Sequence, residues 1–338
     1  MITAKGISRQ APRWQEQFAG AIRDPAELLR ELNLDLALLP MAQTAATQFP
    51  LRAPRSFVAR MRLGDPDDPL LRQVLPLAAE LEPASGFVAD PLHEQTSQAV
   101  PGVLHKYPGR ALLIVTEACA VHCRYCFRRE FPYAENHAGL DEWRSALAYL
   151  AGDASLREVI LSGGDPLALS NRRLGELLTA LDRIPHLERL RIHSRIPVVL
   201  PERIDDGLLE ILARTRLQRV VVIHANHPRE IDDTVSAALK RLTGIGATLL
   251  NQAVLLRGVN DTSETLAELS ETLFAAGVLP YYLHLLDPVC GTAHFAVKES
   301  AALAIMKVLR QRLPGYLAPR LVREQPGQLA KTLVERCS

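Results

Sequence analysis

Three of the chain's five cysteines fall in one short stretch, Glu117-Ala118-Cys119-Ala120-Val121-His122-Cys123-Arg124-Tyr125-Cys126-Phe127-Arg128-Arg129. They are spaced C-x3-C-x2-C and follow directly on the apolar run Ala111 to Val115. Three thiolates gathered on one loop can ligate three irons of a [4Fe-4S] cube and leave the fourth iron open to an exchangeable ligand. Structural zinc is the plainer alternative. Closed zinc sites, however, take four ligands, often as two separated C-x2-C pairs, and the sequence has no second pair. His122 is poorly placed as a fourth ligand because it adjoins Cys123. The expected metal ligands are therefore Cys119, Cys123 and Cys126.

Further reactive residue types are scattered along the chain. Ser162-Gly163-Gly164-Asp165-Pro166 sets two glycines beside a carboxylate, where backbone could approach a ligand closely. The structural alternative is a turn capped by Asp165. Ser194, His224 and Gln252 stand at the ends of later apolar runs, either as ligand contacts or as satisfied polar residues. Arg128 and Arg129 follow the last cysteine; a guanidinium suits a bidentate grip on a carboxylate, and a surface ion pair is the alternative. Asp287 ends the stretch Tyr281 to Leu286, where an unpaired buried carboxylate would be costly, so a cationic partner is expected.

Of 39 basic Lys and Arg side chains only six are lysines, Lys5, Lys106, Lys240, Lys298, Lys307 and Lys331. Lys331 follows the loop Pro326-Gly327, away from any charged helix face. An amine nucleophile so placed is how pyridoxal phosphate (PLP) is carried, although a C-terminal lysine can equally be solvated. Lys106 is the rival, or else joins Arg110 in binding a phosphate.

The elements that must position these groups read as an α/β pattern. From residue 111 onward, short apolar runs alternate with amphipathic segments. Strands are expected to begin near Ala111, Glu158, Arg189, Gln218, Thr248 and Pro280. Helices are expected over Asp141 to Leu150, Asn171 to Arg183, Ile204 to Arg214, Asp232 to Leu242, Ser263 to Ala275 and Glu299 to Arg312. Six units fall short of a closed eight-stranded barrel, so an open partial (β/α)6 barrel is predicted, with ligands at the carboxyl edge of the strands. Residues 1–95 read as a helical N-terminal extension, with helices around Pro25 to Leu32 and Leu70 to Leu81. Val100-Pro101-Gly102 reads as part of a linker. Residues 96–315 form the barrel, and residues 316–338 a short C-terminal segment with Lys331, a final strand and a cap.

With 338 residues and 48% hydrophobic content the chain affords a sizeable core. A net charge of +1 with scattered basic residues gives no footprint for nucleic acid. No apolar run approaches a membrane span, and no secretory leader precedes the first helix, so a cytoplasmic location is expected. Cys290 and Cys337 are left as packed or idle thiols.

The cysteine loop in its strand-loop context resembles that of radical S-adenosylmethionine (SAM) enzymes. Several further stretches resemble the lysine 2,3-aminomutase family, which uses SAM and PLP together, and within it the shorter bacterial members associated with elongation factor P. They include Asp90-Pro91-Leu92-His93-Glu94, Val100-Pro101-Gly102, Tyr107-Pro108, Cys119 to Arg129, Ser162 to Leu167, Ser194-Arg195, Asn226-His227-Pro228, Asn251-Gln252 through Asp261, and His294-Phe295. The resemblance implies that the three cysteines hold the cluster and Lys331 carries PLP. Arg128 would bind the carboxylate of L-lysine and Asp287 its ε-ammonium. The turn Ser162, Gly163, Gly164, Asp165, with Ser194, His224 and Gln252, would hold SAM.

Two departures stand out: Glu324 occupies the place of an Asp seven residues before the PLP lysine, and His284 that of a Tyr. The implied partners are L-lysine, a reducing electron donor, and functionally elongation factor P with its lysyl-type ligase. A homo-oligomer is compatible with this reading. Longer family members continue past the PLP lysine into a cysteine-bearing tail. The seven residues after Lys331 offer no equivalent zinc site, so low-flux supply of β-lysine is expected rather than catabolic turnover.

Overall fold

The computed structural model describes residues 14–132 and 143–335. Lys5, Cys337 and the expected first helical residues Asp141 and Glu142 lie outside them. Six strands run parallel in chain order: β3 (Arg110–Thr116), β4 (Glu158–Gly163), β5 (Arg189–Ser194), β6 (Gln218–Ile223), β7 (Thr248–Val254) and β8 (Leu279–His284). Each is followed by a helix that returns the chain: Trp143–Gly152, Asn171–Asp182, Asp206–Arg214, Asp233–Gly244, Ser263–Ala275 and Glu299–Arg312. The starts of four of these helices are set by side-chain caps. Ser170, Asp205, Asp232 and Thr262 accept the backbone N–H of Arg173, Leu208, Val235 and Thr265. Burial then follows one face, as with Leu174, Leu177, Leu178 and Leu181 of the second of them.

The sheet remains open, and its described strands lie in chain order from rim to rim. The tail adds β9 (Arg320–Arg323), parallel to β8, and β10 (Thr332–Leu333), antiparallel to β9. Lys331 is thus the last residue before β10, and Glu324 the first after β9. At the other rim, the expected linker at Val100-Pro101-Gly102 is instead a tight hairpin turn. It joins β1 (Gln98–Val100) to β2 (Val103–Tyr107), which pairs antiparallel with β3. Proline fixes one φ, and Gly102 takes the positive φ of 79° that the reversal needs.

The extension carries the short helices Trp14–Ala19, Pro25–Glu31, Leu39–Gln48 and Arg55–Val58. The helix expected over Leu70 to Leu81 is absent. Two single 3-10 turns, Leu71–Gln73 and Ala78–Leu81, stand there instead. Pro76 lacks the N–H a helix would use and disfavours helical backbone at Leu75. The apolar spacing that suggested a helix comes from Leu70, Leu71, Val74 and Leu75 all being buried. One contiguous core takes in Leu28, Phe57 and Leu71 of the extension together with Leu113, Leu161, Val221 and Leu283 of the strands.

Gly163 and Gly164 lie directly beneath the start of the cysteine loop. A Cβ on Gly164 would sit 2.6 Å from the backbone of Glu117 and Ala118, and one on Gly163 2.7 Å from the Thr116 carbonyl. Gly164 N–H donates to the Thr116 carbonyl at 2.7 Å, and Asp165 N–H to that of Ala118 at 2.8 Å. The closest neighbour these glycines admit is therefore the protein's own backbone. Gly164→Ala is expected to lower stability by about 1–3 kcal/mol through overpacking, checked by urea unfolding of purified variant and parent.

Candidate active site

Four buried arginines hold the cysteine loop. Arg124, fully buried, pairs with Glu80, its Nε at 2.8 Å from Oε1, and donates to the Phe49 carbonyl at 2.7 Å. Arg129 reaches the same Glu80 at 3.0 Å. Arg128 places Nε and Nη2 on Glu94, at 2.6 and 3.0 Å, and Nη1 on Ser162 Oγ at 3.0 Å and the Gly163 carbonyl at 3.4 Å. Its Nε/Nη2 fork, expected for a substrate carboxylate, is thus taken by Glu94. Arg195 donates to Cys123 Sγ and Tyr125 Oη, and to Gln73 and Glu230 behind it. Sequence reasoning gave Glu80, Glu94, Gln73, Glu230 and Arg195 no role. The signal was present in Arg124, Arg128 and Arg129, three cations among and just behind the cysteines that call for acidic partners.

Asp165 and Ser194 belong to this scaffold. Asp165 accepts from Leu167 N–H at 3.0 Å, Ser194 Oγ at 2.7 Å, Arg195 N–H at 2.8 Å and Ile196 N–H at 3.0 Å. Burial raises its pKa even against these four donors. The carboxylate ties the β4 turn to the end of β5, and its capping of the turn matches the structural alternative.

The remaining strand ends carry unspent polarity. His224 Nε2, Gln252 Nε2 and His284 Nε2 are buried without a hydrogen-bond partner. Burial, with nearby Arg195, Arg128 and Lys331, drops His224 to about 4; burial and Lys331 push His284 well below the usual range. Both imidazoles are therefore neutral at pH 7. Orphaned buried atoms cost free energy unless a ligand meets them, and these three lie along the carboxyl edge where parallel βα folds bind ligands.

At the rims of the sheet the charges form a chain. Arg128 pairs with Glu94, Glu94 with Lys106 at 3.2 Å, Lys106 with Glu324 at 3.1 Å, and Glu324 with Lys331 at 2.6 Å. Burial opposes ionisation of Glu324, but the Lys331 and Lys106 ammoniums hold its carboxyl far below the ordinary value. Asp287 lies near the same two lysines. Burial, then repulsion from Glu324, outweighs them and raises Asp287 to about 7. Arg110 stacks on the Tyr107 ring, 4.6 Å from its centroid. A cavity of about 510 Å³ opens between the two rims, lined by Lys106, Tyr107, His105, Glu324 and Gln325 among others.

These residues can be matched to the implied cofactors. The buried thiols sense one another's charge, with Cys126 raised to about 11 by burial and then Cys123. Among the described residues no three His, Cys, Asp or Glu side chains converge as ligands of a single ion. A cube would meet each thiolate at a separate iron and needs no such convergence on one ion. The cavity, with Lys106 on its wall and Lys331 one ion pair away, is roomy enough for a phosphorylated ring.

An open parallel barrel with three cysteines after its first parallel strand defines a radical SAM protein. The sequence profile of the Radical SAM superfamily matches residues 113–269. The L-lysine 2,3-aminomutase of Escherichia coli K12 is 53% identical over 333 residues, covering 98% of this chain and 96% of that protein. That of Haemophilus influenzae is 47% identical, covering 98% of each. Among solved structures, a radical SAM methyltransferase from Sphaerobacter thermophilus gives a TM-score of 0.45 at 19% identity, over 65% of this chain and 68% of that one. The chain belongs to the lysine 2,3-aminomutase family of radical SAM isomerases. Among the described residues no helix is long and apolar enough to cross a membrane.

Two outcomes follow from these charges. Glu80→Ala leaves two buried guanidiniums without their carboxylate and is expected to cost about 3–5 kcal/mol, read by urea or thermal unfolding. Asp287 binds its proton more tightly folded, at about 7, than unfolded, so its charge opposes folding increasingly as pH rises to 7. Asp287→Asn in cofactor-free protein should therefore gain stability over the parent on going from pH 5 to pH 8, by on the order of 2 kcal/mol. Equal differences at both pH values would contradict this.

Proposed function

We propose that the chain converts L-lysine to β-lysine by moving the amino group from C2 to C3, with PLP carried on Lys331. The supporting observation is the ion-pair chain from Arg128 behind the cysteines to Lys331 across the cavity, which couples two otherwise separate cofactor segments. When bound, the cluster with SAM supplies a carbon-centred radical, and PLP a conjugated ring able to delocalise it. Cys119, Cys123 and Cys126 would hold the cluster. His224 and Gln252, with unspent donors or acceptors, would meet SAM, and the carbonyls of the Ser162–Gly164 turn would meet its amino group. Lys106 and Arg110 would face the PLP phosphate.

The protein's own part is orientation and shielding. With the Arg128 fork on Glu94, the lysine carboxylate would take the outer edge of the guanidinium. Glu324 and Asp287 would receive the substrate's ε-ammonium. That cation stabilises the ionised form of Asp287, offsetting the cost of its burial. Neutral His224 and His284 keep further positive charge away from it.

The experiment is an anaerobic assay with L-lysine, SAM and a strong reductant, followed by chromatography for β-lysine. Lys331→Ala should lose borohydride-trappable PLP and at least about 100-fold of the activity while keeping iron and sulfide, as removal of an essential covalent group does. Trapping undiminished in that variant would move the role to Lys106. SAM cleavage without β-lysine in the parent would favour a radical SAM enzyme of another reaction.

We further assign the product to modification of elongation factor P through its lysyl-type ligase, in the cytoplasm. Support comes from the resemblance to shorter bacterial members. Deleting the gene and weighing elongation factor P tests this, an unaltered lysyl-type modification counting against it. Residues 1–95, 96–315 and 316–338 are proposed as extension, barrel and PLP-lysine segment.

A further inference from the structure

The Arg195 guanidinium is held from behind before it meets the cysteine loop. Its Nη2 donates to Gln73 Oε1 at 2.6 Å and to Glu230 Oε2 at 3.3 Å, and its backbone N–H is fixed by Asp165 at 2.8 Å. Nη1 is left pointing at the cysteine loop, 2.7 Å from Cys123 Sγ and 2.5 Å from Tyr125 Oη. Tyr125 is fixed in turn by Asn226 Nδ2 at 2.6 Å, and Asn226 also donates to Gln73 Oε1 at 3.0 Å. Glu230 accepts from Gln73 Nε2 and from the N–H groups of Asn226 and His227. Three separate segments, the extension, the β5 end and the β6 end, thus converge to aim one cation at one thiol.

Cys123 Sγ meets this guanidinium directly, while Cys119 feels the charge of Arg52 and Cys126 the charges of Arg128 and Arg129, so the three cluster positions are not equivalent. The Sγ of Cys123 stands here for the thiolate that would bind iron. Hydrogen bonds to such sulfurs, and fixed charge beside them, set how readily a cluster accepts an electron. In a buried site the effect of one cation is large because little water screens it.

We propose that Arg195 is a positioning residue that fixes the Cys123 thiolate and raises the reduction potential of the cluster, easing its one-electron reduction. The proposal rests on the cysteine loop carrying a [4Fe-4S] cluster. The electron comes from the external low-potential reductant; cluster charge falls by one unit and no protein bond breaks. A guanidinium suits the task because its fork can grip Gln73 and Glu230 with one edge while presenting the other, which an ammonium cannot reproduce.

The test uses full-length protein reconstituted with iron and sulfide, without SAM, PLP or lysine, so that the aminomutase reading does not enter. Midpoint potentials are measured by titanium(III) titration with electron paramagnetic resonance detection for the parent, Arg195→Met and Arg195→Lys. The Met variant should show about a tenfold lower ratio of reduced to oxidised cluster at a fixed potential, equivalent to about 59 mV for one electron. The Lys variant, keeping charge but not the fork, should fall between. A Met variant that folds by circular dichroism yet assembles less than half the parent's iron also supports the proposal, since Cys123 is then not held for ligation.

If the Met variant does not fold, the Lys variant alone decides: a midpoint equal to the parent's overturns the proposal. Unchanged midpoints in both variants overturn it too; weakened SAM binding, measured separately on the same variants, would then give the guanidinium, whose Nε makes no hydrogen bond, to SAM. A parent that takes up no iron or sulfide overturns both the cluster reading and this inference.

Discussion

A buried guanidinium must find a carboxylate, and that requirement organises the molecule around its cysteine loop. Arg124, Arg128 and Arg129 leave the loop in different directions and end on Glu80 and Glu94 of the N-terminal segment, while Arg195 reaches the loop from β5 with Glu230 behind it. Removing any one partner would strand a charge in a medium where its solvation cost is several kcal/mol. The extension is therefore part of the loop's support. Its irregular backbone around Pro76 suits that task, since Gln73 and Glu80 each face the loop from a separate single turn.

Around this support the polar groups divide into two kinds. Asp165, Ser194, Asn226 and Asn251 satisfy one another and the backbone; Asn251, for example, exchanges both amide hydrogen bonds with Ala225. His224, Gln252 and His284 keep an atom in reserve. A scaffold with every group paired holds its geometry, and the unpaired atoms mark where a ligand supplies what the protein does not. Both kinds share the carboxyl edge of the strands, so groups with an atom in reserve stand beside groups that are fully paired.

The six repeating units were legible because each strand is a short buried apolar run and each helix starts at a capping residue such as Ser170 or Thr262. The cysteines stood out by their spacing and by the apolar run before them. The Leu70 to Leu81 segment misled because total burial and a helical stripe place apolar residues alike, and only Pro76 separated them. The roles of Glu80, Glu94 and Glu230 could not be read locally, since each acid lies 34 or more residues from its arginine. Asp165 illustrates a different limit: its type and neighbours suited a ligand contact, but its four donors come from backbone and from β5. The fork of Arg128 is hidden for the same reason, because its partner Glu94 sits in a stretch with no regular structure of its own.

The ion pair between Lys106 and Glu324 has a mechanical meaning. One residue stands on β2 and the other directly after β9, near the opposite rims of a sheet that never closes. Where a complete barrel would stitch its last strand to its first with backbone hydrogen bonds, this one is fastened over a solvent-accessible cavity by side chains, the Lys106–Glu324 ion pair among them. Such a seam can part without unzipping any strand. An incoming ligand that offers its own anion to Lys106, or its own cation to Glu324, exchanges one partner for another as it enters from the side, so the gap in the wall and the lock upon it are the same pair of residues.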